Sequence, residues 1–343
     1  MVNGQPHSFQ IIMEDRFVGC MLAGAIGDAI GAGCEMMPAD SIAKRYGRVQ
    51  TYIREEDQVF AADRKRPYGH YTDDTEMTLC LAQALIEDKG RVVPATMSRV
   101  LLENFHEDRG YSRNTLHIVM GLRIGMDPET VSRMIVPSSE WKTCDTYQGS
   151  NGNGAAMRIS PLGLLVGRDD TQQDDLYQRV EKAVVITHFN PEAVDAAFIL
   201  AWVVSQLVTL EVQTIDAYAT IQAAQRLCRT STLRNKLTYI MSGFDEKSEL
   251  DDVLDVVMGF DAVTGPEAVS VALAIFLWSY QTPKEAVLQA VNLGGDCDTT
   301  AGMVGSLMGA LHGSSWLPDE WIESLEEKGE PIICTAKLLF HVK

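Results

Sequence analysis

Two short acidic runs lie more than two hundred positions apart, Thr72-Asp73-Asp74-Thr75-Glu76 and Asp296-Cys297-Asp298-Thr299-Thr300. Each leads into an apolar stretch with helical spacing, Met77 to Ile86 and Ala301 to His312. Adjacent carboxylates repel one another, and solvent, a helix N-terminus or a cation relieves that repulsion. Helix capping alone accounts for either run, because Asp and Thr are ordinary N-cap residues. Two runs of the same Asp/Thr composition, the second preceded by Gly294-Gly295, point to coordination of a hard cation by oxygen ligands. Four aspartates are enough for two metal ions to share one site. A local calcium loop is excluded at the second run: the twelfth position from Asp296 is Leu307, where a bidentate glutamate is required. A site would therefore have to be assembled from both ends of the chain.

Three further segments carry candidate chemistry. Gly27-Asp28-Ala29-Ile30-Gly31-Ala32-Gly33-Cys34-Glu35 reads as a helix running into a glycine-rich exit that ends in an acid. Its glycine spacing is not that of a dinucleotide fingerprint and no strand precedes it. Glu35 by itself is as readily a solvated loop acid. Gly149-Ser150-Asn151-Gly152-Asn153-Gly154 is followed by Arg158. Its glycines and asparagines allow positive φ, so successive N–H groups can turn toward an anion, and Arg158 could complete a diphosphate cradle. The loop lacks the Gly-Lys-Ser/Thr ending of a P-loop, and a plain turn is the competing reading. Thr187-His188-Phe189-Asn190-Pro191 sets a histidine before a helix start, where ribose contact competes with a structural role.

The elements that must position these groups read as helices. Val18, Met21, Leu22, Ala25, Ile26 and Ala29 recur at helical spacing, with Gly24 and Gly27 permitting close helix–helix approach. Thr264-Gly265-Pro266-Glu267 starts a helix that is apolar almost all round through Tyr280 and therefore central. Thr282-Pro283-Lys284-Glu285 reads as a capping box for a helix through Val291, and Asn190-Pro191-Glu192 starts a buried helix through Leu210. Residues 52–68 and 230–252 are the least core-like, and both read as surface loops or connectors, 52–68 being a candidate lid. Neither has linker composition, so residues 1–343 are expected to form one domain with its core in 10–343.

Composition narrows the classes. Of the 343 residues 46% are hydrophobic and 22% charged, an ordinary globular balance. The net charge of −18 argues against general binding to nucleic acid or to anionic membranes. Seven scattered cysteines suggest neither a disulfide framework nor a zinc site, and with no secretory signal at the N-terminus a cytoplasmic location is expected. The apolar stretch 196–210 is shorter than a bilayer span and reads as a buried helix.

Taken in order, GDAIGAGCE, YTDDTEM, GSNGNGAAMRISPLG, THFNPEA and NLGGDCDTTAG resemble the ADP-ribosylglycohydrolase family from Gly27 to Gly302. The resemblance implies an all-α orthogonal multi-helix bundle with a cleft holding two Mg²⁺ ions, Mn²⁺ being acceptable to the same ligands. It implies Thr72, Asp73 and Asp74 as ligands from one side and Asp296, Asp298 and Thr299 from the other. Glu35 would bridge to a metal or act as the catalytic acid or base, with Asp73 and Asp296 next in line. Gly149 to Gly154 would receive the diphosphate, and His188 would lie on the adenosine side. The activity implied is hydrolysis of the bond between ADP-ribose and a modified target, with ADP-ribosyl-arginine on protein foremost and a monomeric enzyme expected. The competing readings are hydrolysis of O-linked ADP-ribose, as on serine or in O-acetyl-ADP-ribose, and a relative that kept the fold but lost catalysis.

Overall fold

A computed structural model describes residues 7–59, 65–134, 149–169, 173–259 and 261–342. Its helices run α1 (His7–Gly31), α2 (Ala39–Tyr46), α3 (Asp73–Glu87), α4 (Pro94–Asn104), α5 (Arg113–Arg123) and α6 (Pro128–Arg133) in the first part of the chain. They continue with α7 (Ser160–Asp169), α8 (Gln173–Val184), α9 (Pro191–Leu207), α10 (Ala217–Leu227), α11 (Ser231–Asp245) and α12 (Leu250–Val257). The last are α13 (Gly265–Ser279), α14 (Pro283–Asn292), α15 (Cys297–His312), α16 (Asp319–Ser324) and α17 (Glu330–Phe340). Two strands of two residues, β1 (Met37–Pro38) and β2 (Gly294–Gly295), form one antiparallel ribbon.

At the centre lie α9 and α13, whose residues are buried on nearly every face. Their starts follow from sequence chemistry. Thr264 and Glu267 form a reciprocal capping box on α13, and the Asn190 side chain accepts from the Glu192 N–H ahead of α9. Neither these nor any other helix of the described residues is long and apolar enough to cross a membrane.

Helices α1 and α15 pack antiparallel at backbone distance, which only glycine permits. A Cβ on Gly27 would lie 2.2 Å from the Ala301 carbonyl oxygen, one on Gly305 2.1 Å from that of Ala23, and one on Gly31 2.5 Å from the Asp298 Cα. The C-terminal end of α1 therefore meets the N-terminal end of α15. The ribbon fastens this corner, pairing Met37 with Gly295 and Pro38 with Gly294, and the Met36 N–H donates to the Gly295 carbonyl at 2.7 Å.

Two expectations are corrected. Residues 230–252 are not a loop: α11 and the start of α12 occupy them, because Leu233, Leu237 and Ile240 bury one helical face that the polar residues between them obscured. Thr282 does not form a capping box; its φ of −125° and ψ of 69° leave its side chain without a bond to α14, which starts on Pro283 alone. Of the candidate lid, residues 60–64 lie outside the described residues. The flanks are tied down: the Tyr52 hydroxyl donates to the Trp321 carbonyl at 2.8 Å, and the Gln58 side chain both donates to and accepts from the Arg66 backbone at 2.8 Å.

Candidate active site

The corner between α1 and α15 opens into a cavity of about 280 Å³. Asp73 and Asp74 reach it from the first turn of α3, and Asp296, Asp298 and Thr299 from the start of α15. Glu35 arrives from the exit of α1, and single ligand oxygens of Glu35, Asp296 and Asp298 fall within 4.8 Å of one another. Carboxylates from opposite ends of the chain thus share one small volume, because α3 and α15 both point their N-termini at the end of α1. Those N-termini partly offset the accumulated negative charge.

They do not offset all of it. Burial first, and then the facing carboxylates, hold Asp73, Asp74 and Asp298 well above the ordinary aspartate range, and burial also raises Asp296. No arginine or lysine lines the cavity among the described residues. The one histidine there, His188, is pushed down to about 3 by burial and by Arg158, so it is neutral and supplies no countercharge. Asp74 Oδ2 and Asp298 Oδ1 are buried without a hydrogen-bond partner among the described residues. Unsatisfied buried carboxylate oxygens converging with no cationic side chain are the donor set of a hard divalent cation.

Asp28 supports this cluster from behind, a role no motif announced. It is buried within α1, and its carboxylate accepts from the Thr72 N–H at 3.0 Å, the Thr72 hydroxyl at 2.8 Å, the Thr75 N–H at 3.1 Å and the Thr75 hydroxyl at 2.5 Å. These bonds fix the first turn of α3. Thr72 is the N-cap of that helix, accepting from the Asp74 N–H at 3.3 Å, and it does not line the cavity.

Opposite the carboxylates stands the loop 149–154. The Asn151 carbonyl accepts from the Gly265 N–H at 2.9 Å, the Asn153 N–H donates to the Val263 carbonyl at 3.1 Å, and Asn153 Nδ2 donates to Asp296 Oδ2 at 2.6 Å. The loop is therefore stapled to the start of α13 and to the acidic cluster at once. Only Gly149 adopts positive φ, at 75°, and it sits at the base of the loop against Phe189 and Asn190, away from the cavity. The expectation that successive N–H groups turn toward an anion is corrected at Gly152 and Asn153: the Gly152 N–H donates to Ser150 Oγ at 3.1 Å, that of Asn153 to Val263, and Asn153–Ala155 turn as a 3-10 helix. Ser150, Asn151, Gly152, Asn153 and Gly154 line the cavity, as does His188.

Arg158 is not where a diphosphate cradle needs it. It is fully buried, donating to the Gly154 carbonyl and the Thr187 hydroxyl, both at 2.6 Å, and burial pushes its guanidinium down to about 10. It braces the loop and His188 from beneath: the Thr187 hydroxyl stands 2.8 Å from His188 Nδ1. Ser112, Asn114 and Thr115, at the start of α5, also line the cavity. In sequence they read as an unremarked polar stretch, and only the Ser112-to-Thr115 N-cap spacing, made at 3.2 Å, hinted that a helix starts there.

Fold and site together define an all-α protein whose cleft gathers carboxylates suited to divalent cations opposite a loop of glycines, asparagines and Ser150. The family model for ADP-ribosylglycohydrolase matches residues 10–343, and the chain belongs to that family. It is 29% identical to ADP-ribosyl-[dinitrogen reductase] glycohydrolase of Rhodospirillum rubrum, over 93% of this chain and 92% of that one. It is 28% identical to ADP-ribosylarginine hydrolase Tri1 of Pseudomonas putida, over 91% of this chain and 74% of that one. A solved structure described as an ADP-ribosylglycohydrolase-related protein complex superposes with a TM-score of 0.67 at 24% identity, covering 96% of this chain and 98% of its own, and so shares the fold.

Proposed function

We propose that the protein hydrolyses the glycosidic bond joining ADP-ribose to a modified target, with ADP-ribosyl-arginine on protein as the substrate and two Mg²⁺ ions as cofactor. The observation that carries this reading is the convergence of Asp73, Asp74, Asp296 and Asp298 on one cavity, facing the loop 149–154. Asp73 and Asp74 would hold the ions from α3, whose first turn Thr72 caps, and Asp296, Asp298 and Thr299 from α15, with Glu35 beside them. Divalent ions held there would supply positive charge that favours binding and orientation of a ribose beside these carboxylates. Mn²⁺ accepts the same oxygen ligands.

The chain's own residues do the rest. The loop 149–154 receives the diphosphate through the backbone N–H groups of Asn151 and Gly154, since no cationic side chain lines the cavity among the described residues. His188 contacts the adenosine-side ribose as a neutral ring. When its Nδ1 accepts from Thr187, the proton sits on Nε2, available to a ribose oxygen. Bond cleavage develops oxocarbenium character at the anomeric carbon, which the surrounding carboxylates stabilise electrostatically. Glu35 is the general acid or base that protonates the leaving nitrogen or deprotonates water, and Asp73 and Asp296 are the alternatives for that role. Similarity to the ADP-ribosylarginine hydrolase of Pseudomonas putida supports arginine as the acceptor. A monomer acting in the cytoplasm, without nucleic-acid or membrane partners, completes the reading.

The test is release of free ADP-ribose from arginine-linked and serine-linked protein substrates, with Mg²⁺ and with a chelator. Release from the arginine linkage that stops on chelation is the expected result. Release from serine alone would move the activity to the O-linked bond. No release from either, with no binding of ADP-ribose, would leave a helical scaffold without the activity.

A further inference from the structure

A second cavity, of about 460 Å³, adjoins the first. The two share only Glu35, Met36, Gly110 and Ser112 among the described residues. Neither the loop 149–154 nor His188 reaches the second one. A substrate whose diphosphate rests on that loop and whose anomeric carbon lies at Glu35 has its leaving group on the far side of Glu35, and the second cavity is what lies there.

One wall of this cavity is the segment 105–112, and it is fixed from several directions. The His106 N–H and ring Nδ1 bond the buried Glu76 carboxylate at 3.0 and 2.6 Å, and the Tyr111 hydroxyl donates to the same group at 2.7 Å. Arg109 makes a bidentate pair with Glu326, both bonds at 2.7 Å, and donates to the Tyr71 carbonyl at 2.9 Å. Arg66 Nη1 donates to the Asp108 carbonyl at 2.8 Å. Four side chains thus spend their polar groups on holding a short turn, Glu107–Arg109, in place. That turn presents Glu107 and Asp108, both exposed, both lining the cavity, and neither carboxylate paired with a cation among the described residues. Arg66 and Arg113 are the cations on the same walls among the described residues, and Arg66 Nη1 is already committed to the turn.

We propose that this second cavity is the acceptor subsite and that Glu107 and Asp108 recognise the guanidinium group of the modified arginine. Glycosylated guanidinium keeps its positive charge and its planar donors, which carboxylates accept in a fixed fork; a serine or acetyl acceptor offers neither. Rigid anchoring of the turn keeps the ordering cost of this recognition small. The inference rests on the proposed hydrolysis of ADP-ribosyl-arginine and adds the residues that select that acceptor.

The experiment uses the full chain and a Glu107→Gln/Asp108→Asn double variant. It measures KM and kcat on arginine-linked and serine-linked ADP-ribosyl peptides of matched sequence, the affinity for ADP-ribose by calorimetry, and the affinity of agmatine for protein saturated with ADP-ribose. Partly exposed ion pairs predict a rise of roughly three- to tenfold in KM for the arginine peptide and a matching loss of agmatine affinity, both shrinking at high salt. ADP-ribose affinity, read far from the turn, is expected to hold. An unchanged arginine KM overturns the proposal. So does an equal rise for both peptides together with weaker ADP-ribose binding, which would mean that the turn shapes the whole cleft. If the parent protein cleaves only the serine linkage, the guanidinium subsite fails while the hydrolase reading survives; if it neither binds ADP-ribose nor cleaves either peptide, both fail.

Discussion

Replacing Asp28 by Asn tests whether the buried acid behind the cluster is part of the ion-holding apparatus or only part of the core. Asp28 Oδ1 takes the Thr72 amide and hydroxyl, and Oδ2 takes the Thr75 amide and hydroxyl. An asparagine keeps one acceptor for Thr72 but turns an NH₂ group on Thr75. The Thr75 hydroxyl can rotate to accept from it; the Thr75 amide cannot, and one buried N–H is left unpaired at a cost of about 1–3 kcal/mol. With an unfolding entropy of about 0.7 kcal/mol/K for a chain of 343 residues, that is a loss of about 1–4 °C in Tm. A matched control exists in Asp195. Its carboxylate, on α9, accepts from the Arg229 N–H, the Thr230 N–H and the Thr230 hydroxyl at the start of α11, and it does not line the cavity.

Asp195→Asn therefore loses comparable stability, and the two variants separate only in their response to Mg²⁺. At a hundredfold excess over its Kd, one ion adds about 2.7 kcal/mol, or about 4 °C on the same scale, and two ions double that. Loosening the first turn of α3 moves Asp73 and Asp74, and disturbed support of metal ligands typically weakens affinity about 10- to 100-fold. In chelator, both variants are expected to melt a few degrees below the parent. In Mg²⁺, Asp195→Asn recovers the full increment and Asp28→Asn recovers clearly less, as read by differential scanning calorimetry. If Asp28→Asn gains as much from Mg²⁺ as the parent, the claim that Asp28 sets the ligand geometry is refuted.

Two further predictions concern the site itself. Glu35→Gln is expected to lower kcat on the arginine-linked substrate by about 10²- to 10⁴-fold while a Mg²⁺-dependent rise in Tm persists; a full rate with the ion bound would remove Glu35 from the chemistry. The raised aspartates also set a pH dependence. A carboxyl whose folded value lies above its unfolded value of about 3.9 holds its proton longer in the folded state, so the stability it contributes is present below that value and is lost as pH rises through the folded one. Metal-free protein is thus expected to lose Tm as pH climbs upward from about 4 through the raised values of Asp73, Asp74, Asp296 and Asp298, and added Mg²⁺ is expected to reverse the trend and release protons. Calorimetric titrations in two buffers of different ionisation enthalpy, run at several pH values above about 4, read the proton release directly, and its absence at all of them would contradict the raised carboxyls.

Local chemistry was legible in the sequence wherever a signal acts within a few residues. The caps at Thr264 and Asn190, the all-round apolar character of α13 and the glycines of α1 are of this kind, since capping, burial and close approach leave marks at short spacing. The mixed pattern of 231–245 was not, because a helix that buries only a narrow stripe looks like loop until the surface it packs on is known. Residue type also named the acids and the loop glycines and asparagines as candidates. It could not say that Arg158 turns inward to brace the loop, that Thr72 is occupied by Asp28, or that Ser112, Asn114 and Thr115 share the cavity. Those facts depend on the antiparallel docking of α1 on α15, which brings carboxylates separated by more than two hundred residues into one volume. Desolvation and mutual repulsion exist only inside that volume. The sequence therefore determined which groups were available and which helices would carry them, while the tertiary structure alone decided which oxygens are left without partners and so what the site can hold.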